Sequence, residues 1–381
     1  MLMSKKASPN LLLLCFFSVL AHGLSCCYCS STSSTNSSRE DNKIKGMFVF
    51  GSSLVDNGNN NFLNVSMAKA DYSPYGIDFP LGPSGRFTNG KNVIDLLGDQ
   101  LKLGYYIPPF TNPSTKGSKV VHGVNYASGG SGILDDTGSL AGKVISLSRQ
   151  IRNFEEVTLP DLEAQLGCGS RESLPKYLFV VGSGGNDYSF NYFLSNDTSP
   201  ASLEAFTTNL ITKLSAQLKR LYDKGGRKFV LMSLNPIGCT PVAKAMHQSA
   251  KKNNKASCAQ KLNQAAHLFN NRLKSLVDAI KPQMPASNLV FVNSYKIIRD
   301  IIRNPASTGF SDTSSPCCEV ATIGVLCKRG GSTCANRTLH VFFDGLHPTE
   351  AVNVHIARNA YASNSKNEVY PMNVRELVGL N

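Results

Sequence analysis

The sequence is short of acids and has no long apolar run. Its 381 residues hold 26 aspartates and glutamates against 39 lysines and arginines, a formal net charge of +13. The imbalance is widest over 213–281, where Asp223 and Asp278 are the only acids. Such an excess can mark a nucleic-acid binder. No aromatic-and-basic RNA motif, zinc-finger spacing or homeodomain-like segment accompanies it, so the lysines read as solvated faces of amphipathic helices, and no nucleic-acid partner is expected. No apolar stretch reaches the ~20 residues that a membrane-spanning helix needs. There is no heptad run, collagen-like period or solenoid repeat, which excludes fibrous and repeat architectures. At 41% hydrophobic and 17% charged residues the bulk of the chain is globular. Its length allows a full core without disulfides in place of one.

Some catalytic signatures are missing too. Without a G-x-S-x-G there is no ordinary α/β-hydrolase elbow, and without an H-E-x-x-H no zinc-peptidase helix. Residues 85–91 fit G-x-x-x-x-G-K, but Asn92 stands where a P-loop has serine or threonine, and no apolar strand precedes it.

What is present begins with an export signal. Lys5 and Lys6 precede an apolar run over 11–21, and small residues follow at Ala21, Gly23 and Ser25. That is the layout of a secretory signal peptide, with cleavage expected after 23 or after 25. Losing the two lysines leaves a net charge of about +11. Residues 26–43, rich in serine and threonine, read as a linker, and 44–381 as a single domain. Eleven cysteines agree with an oxidising compartment. Seven of them lie in the body: Cys168, Cys239, Cys258, Cys317, Cys318, Cys327 and Cys334. That number is odd, so at least one is free or pairs with Cys26, Cys27 or Cys29. The C-x-x-C at Cys26 and Cys29 lacks the strand-helix setting of a redox site. Four N-x-[ST] sequons, at Asn36, Asn64, Asn196 and Asn336, are candidate glycan sites of a secreted chain.

Short apolar runs at 47–50, 177–181, 229–234 and 289–292 read as buried strands. Helical spacing covers 92–103, 202–222, 257–280, 297–302 and 348–361. The strands are apolar throughout and alternate with helices, which predicts a parallel sheet covered on both faces. In such sheets the working residues gather after the carboxyl ends of the strands.

Ser53 follows the first strand. A serine needs a base to become a nucleophile. Asp344 and His347 are three residues apart, so within one turn the carboxylate can hold one ring nitrogen and leave the other for a serine proton. The glycine-rich segments at 125–132 and 182–187 can offer backbone N–H groups, and Asn186 an amide, to an oxyanion. A metal would draw on His347, Glu350 and His355, but Pro348 takes His347 off the helix face of the other two, so no metal is expected.

Taken in order, these segments resemble the plant GDSL esterase/lipase family of the SGNH hydrolase superfamily. The likeness runs from about 48 to 361. It is carried by F-V-F-G-x-S-L-V-D-N-G-N-N-N at 48–61, G-R-F-T-N-G-K at 85–91, N-Y-A-S-G-G-S-G-I at 125–133, G-G-N-D-Y at 184–188 and F-F-D-G-L-H-P-T at 342–349. The resemblance implies a three-layer α/β/α sandwich with a flavodoxin-like parallel sheet. It implies Ser53 as nucleophile, His347 as base and Asp344 as its orienting partner. The oxyanion donors would be the Ser53 and Gly130 N–H groups and the Asn186 side chain. The activity implied is hydrolysis of carboxylic, including lipid, esters without a cofactor, the ester substrate being the only partner called for; some members transfer the acyl group to another hydroxyl instead. Two positions depart from the family. Ser52 replaces the aspartate of G-D-S-L, which helps to brace the nucleophile turn; serine keeps the capacity to accept one hydrogen bond there. Phe343 stands where the family usually has tryptophan, which this sequence lacks altogether. The alternatives are an acyltransferase with the same triad, or a glycosylated binding protein that has lost turnover through the change at Ser52.

Overall fold

The computed structural model describes residues 44–167, 170–194, 198–250, 257–321 and 324–380. The signal segment, the linker, Cys168 and the sequons at Asn36 and Asn196 lie outside the described residues.

Five strands pair in parallel: β1 (Gly46–Gly51), β2 (Gly123–Asn125), β3 (Tyr177–Gly182), β4 (Lys228–Met232) and β5 (Asn288–Val292). Their order is β2-β1-β3-β4-β5, the doubly wound arrangement of flavodoxin-like sheets. Two further strands, β6 (Asp312–Pro316) and β7 (His340–Phe342), form a separate parallel pair. β8 (Val369–Tyr370) closes the main sheet antiparallel to β5.

Successive side chains of a strand point to opposite faces, and here both faces are covered. Phe48, Phe50, Phe179, Val181, Phe229 and Leu231 pack under helices α2 (Leu147–Asn153), α3 (Pro200–Asp223) and α4 (Gln260–Ala279). Met47, Val49, Leu178, Val180, Val230 and Val290 pack under α1 (Val93–Gln100), α5 (Ser294–Arg303) and α6 (Glu350–Ala362). The result is an α/β/α three-layer sandwich. In α3 the buried Leu210, Leu214, Leu218 and Leu221 recur at helical spacing along one stripe. The Ser199 side chain caps its start and Pro200 occupies the first turn. Asn92 and Asp95 form a capping box on α1.

The expected strands and helices are present, with ends shifted by no more than three residues. The last of the expected helices starts at Glu350 behind an N-cap Thr349, so Pro348 lies before it and not within it. Segments with little apolar signal went unread. β2 has one apolar side chain in three residues, β8 has only two residues, and α2 leads through a π-helical turn, Phe154–Thr158, into the helix Leu159–Leu166.

The strand order reverses between β1 and β3, which opens a crevice beyond their carboxyl ends. Gly51 pairs with Gly182 there. A Cβ on Gly51 would lie 2.2 Å from the Gly182 carbonyl oxygen, and its φ of 151° suits glycine. The two strands deliver their following loops side by side.

Candidate active site

Ser53 lies on the turn that leaves β1 for this crevice. Its Oγ is 2.8 Å from His347 Nε2, across 294 residues of sequence. Asp344 and His347 come from the turn after β7. The Asp344 carboxylate accepts the N–H groups of Leu346 at 2.8 Å and His347 at 2.7 Å, an Asx-type turn that fixes the side chain on its own backbone. Its oxygens also lie 2.9 and 2.8 Å from His347 Nδ1. A carboxylate only accepts, so Nδ1 carries the proton and Nε2 is left to accept from the serine hydroxyl. Asp344 is fully buried and His347 is 5% exposed. The Phe87 ring lies against the imidazole, centroids 4.9 Å apart.

Beside this line lies the glycine loop after β2. Gly130 has φ 82°, and its N–H and that of Ser53 have no acceptor among the described residues. Asn186, one residue into the short helix Gly185–Ser189, donates from Nδ2 to the Ser131 carbonyl at 2.8 Å and so lies against the same loop.

Three residues without an assigned role hold these pieces together. Asp56 accepts the N–H groups of Gly58 (2.7 Å), Asn59 (2.9 Å) and Gly129 (2.8 Å). Asp187 accepts those of Ile133 and Leu134 and the Thr137 hydroxyl, all at 2.9 Å. Burial raises each carboxyl to about 6 against the pull of these donors. Gln150 grips both polar groups of Gly51, accepting its N–H and donating to its carbonyl at 2.8 Å each, and also donates to the Ile145 carbonyl at 2.7 Å. Asp56 and Asp187 fall within the family-like segments, so the sequence pointed to them without a reason. Gln150 falls in none.

Ser52 does not brace the turn in the way expected of it. Its hydroxyl makes no hydrogen bond among the described residues; only its backbone does, N–H to Gly182 O at 3.1 Å and O from Val55 N–H at 3.1 Å. Asp56 and Gln150 make side-chain hydrogen bonds to the backbone on either side of Ser52. Gly51 pairs with Gly182, and Ser52 and Ser183, the residues that follow them, line one cleft; the buried Ser183 hydroxyl has no partner among the described residues.

A cleft runs from Ser53 and His347 past Leu54, Val55, Met232, Leu234, Ile237 and Ile356. Serine, asparagine and threonine side chains interrupt this apolar wall, and no Asp, Glu, Lys or Arg lines it. Such a wall suits an uncharged chain with a few polar contacts. The 85–91 segment is a brace. Arg86 makes a bidentate pair with Asp95 at 2.6 and 2.7 Å, Thr88 donates to Pro348 O at 3.0 Å, and Asn89 accepts the Glu350 N–H at 2.9 Å. It fastens the chain just after His347.

Among the described residues no three metal-ligating side chains converge, and no helix is long and apolar enough to cross a membrane. Disulfides join Cys239 to Cys258, Cys317 to Cys334 and Cys318 to Cys327. Asn64 and Asn336 are exposed.

Residues 47–360 match the family model described as GDSL-like Lipase/Acylhydrolase. The chain is 40% identical over 345 residues to GDSL esterase/lipase At1g29670 of Arabidopsis thaliana, covering 89% of this chain and 92% of that protein. It is 41% identical over 354 residues to GDSL esterase/lipase At5g08460 of the same plant, covering 90% and 89%. With GDSL esterase/lipase At4g16230 the identity is 39% over 346 residues, covering 89% and 92%.

Proposed function

The chain belongs to the GDSL-like lipase/acylhydrolase family and is a carboxylic ester hydrolase; we propose that it is exported and cleaves lipid esters through an acyl-enzyme on Ser53. The observation that carries the mechanism is the unbroken line from Ser53 Oγ through His347 to Asp344, with separations of 2.8 Å at both links. His347 Nε2 takes the serine proton as Oγ attacks the ester carbonyl. Asp344 holds the ring and stabilises the imidazolium that forms. The negative charge on the carbonyl oxygen falls to the Ser53 and Gly130 N–H groups and the Asn186 amide. His347 then returns the proton to the leaving alcohol. Water, deprotonated by the same nitrogen, releases the acid and restores the serine.

Lipid substrates are supported by the uncharged, largely apolar cleft. Export is supported by the three disulfides, by the signal-like start and by the exposed sequons at Asn64 and Asn336. The test is a series of p-nitrophenyl esters of rising chain length, run with and without a serine-directed fluorophosphonate. Turnover that the reagent abolishes while labelling Ser53 supports the reading. Absence of both turnover and label overturns it and favours a binding protein. N-terminal sequencing of the secreted protein, expected to begin between residues 24 and 29, with a glycosidase mobility shift, tests export.

A further inference from the structure

A small apolar core lies under the Asp344–His347 turn, apart from the two cores on the sheet faces. Tyr75, Phe87, Phe343, Cys318 and Cys327 belong to it. Tyr75 is fully buried. Its hydroxyl lies 2.6 Å from Asp344 Oδ2 and accepts the Cys327 N–H at 3.1 Å. A phenol has one proton. With an N–H aimed at it from Cys327, that proton can go only to the carboxylate. Phe343 and Phe87 hold the ring edge-on at 5.7 and 6.0 Å. Burial and the Asp344 charge keep the phenol well above its ordinary range, so it stays a donor.

The loop that supplies Cys327 clasps the chain on both sides of Asp344. Cys318 N–H donates to Phe343 O at 2.8 Å, Gly345 N–H donates to Val325 O at 2.9 Å, and Cys318 is bonded to Cys327. Within the Asp344 carboxylate, Oδ1 has the Leu346 and His347 N–H groups and lies 2.9 Å from the imidazole Nδ1. Among the described residues Oδ2 has only the imidazole and Tyr75.

We propose that Tyr75 is a positioning residue for ester hydrolysis: it completes the donor set of Asp344, aims the carboxylate at His347 Nδ1, and is itself held by the disulfide-closed loop. This rests on the reading of Asp344 and His347 as orienting acid and base. With Tyr75 removed, Oδ2 gives all its charge to the imidazole, which favours the imidazolium and turns the base off at a higher pH. Among the described residues the other ionisable group facing Tyr75 and Asp344 is Tyr72, which has Arg329 over its ring at 3.9 Å, and Arg329 in turn lies 3.6 Å from Asp71. A change confined to the Tyr75 hydroxyl leaves them in place.

Tyr75→Phe keeps the ring and removes the hydroxyl. With a soluble p-nitrophenyl ester, kcat is expected to fall about 10- to 100-fold while KM stays within about two-fold. The acid limb of the kcat/KM profile moves to higher pH. Tyr75→3-fluorotyrosine, a stronger donor, moves it to lower pH. Wild-type kcat and pH profile in Tyr75→Phe overturn the proposal. So does a lowered kcat with an unmoved acid limb, which marks a structural role only. If the wild-type protein neither turns over nor takes the fluorophosphonate label, the hydrolytic reading of Ser53 fails separately. The Tyr75 proposal is then read by NMR: the His347 ring is expected to titrate at higher pH in Tyr75→Phe, and an unchanged titration overturns it.

Discussion

Asp56 and Gly129 stand 73 residues apart, yet the carboxylate of one accepts the N–H of the other at 2.8 Å. This bond ties the loop that carries Ser53 to the loop that carries Gly130, in the proposed mechanism the nucleophile and an oxyanion donor. In Asp56→Asn one oxygen can still accept from Gly58 and Asn59, but an NH₂ then faces the Gly129 N–H. The repulsion moves the glycine loop. A displacement of ~1 Å is enough for a loss of about 10²-fold. The expected result is a kcat lower by that order with an unchanged circular dichroism spectrum.

Acidification should reveal both buried carboxyls. Asp56 and Asp187 sit at about 6 in the folded protein against 3.8 for the free group, and burial is the cause. Between those values the folded state binds protons that the unfolded chain does not. The stability they contribute is therefore full below about 3.8 and lost as pH rises through about 6. Compared with the double variant Asp56→Asn, Asp187→Asn, the wild type should gain on the order of 2 kcal/mol per carboxyl on going from pH 7 to 4.5. Denaturant melts across that range measure the difference; a constant gap contradicts the assignment.

Ser53→Ala and His347→Ala should each cost ~10⁴-fold or more in kcat, and the double variant should be little worse, because triad members act as a unit. Additive losses in single-turnover assays would argue against a shared step.

Ser52→Asp is expected to raise activity. Position 52 and Ser183 line the same cleft, and the Ser183 hydroxyl is buried with no partner among the described residues. A carboxylate at 52 would accept from it and stiffen the nucleophile turn. A several-fold gain in kcat, by analogy with the cost of misplacement, is the outcome to measure. A variant as slow as the wild type would show that Asp56 and Gln150 already hold the turn.

Arg86→Ala should destabilise the fold by about 3–5 kcal/mol, because it leaves Asp95 charged and buried without its partner. The two side chains are 5% and 0% exposed. Thermal unfolding checks this, and loss of the brace behind His347 should lower kcat in the folded fraction as well.

The sequence made the sheet legible because its central strands are largely apolar and two of them, β1 and β3, end at glycines. Local spacing brought Asp344 and His347 together, and the ordered family-like segments drew in Ser53 and Asn186; the structure brings Ser53, His347 and Asp344 within hydrogen-bond reach. What stayed hidden was long-range. Tyr75 reaches Asp344 across 269 residues and Gln150 reaches Gly51 across 99, and nothing in a glutamine or tyrosine marks such a partner. The loss at Ser52 was visible in the sequence. The serine hydroxyl braces nothing, and the acceptors that hold the turn lie farther along the chain.

The separation of Ser53 from its base has a consequence in time. Ser53, its turn and strands β1 to β3 are made before β4 and β5, whereas Asp344 and His347 follow only after all of these and after β7. A growing or truncated chain can fold the β1–β3 crevice and still have no group to take the serine proton. On the triad reading, ester cleavage begins only once the chain has been made past His347.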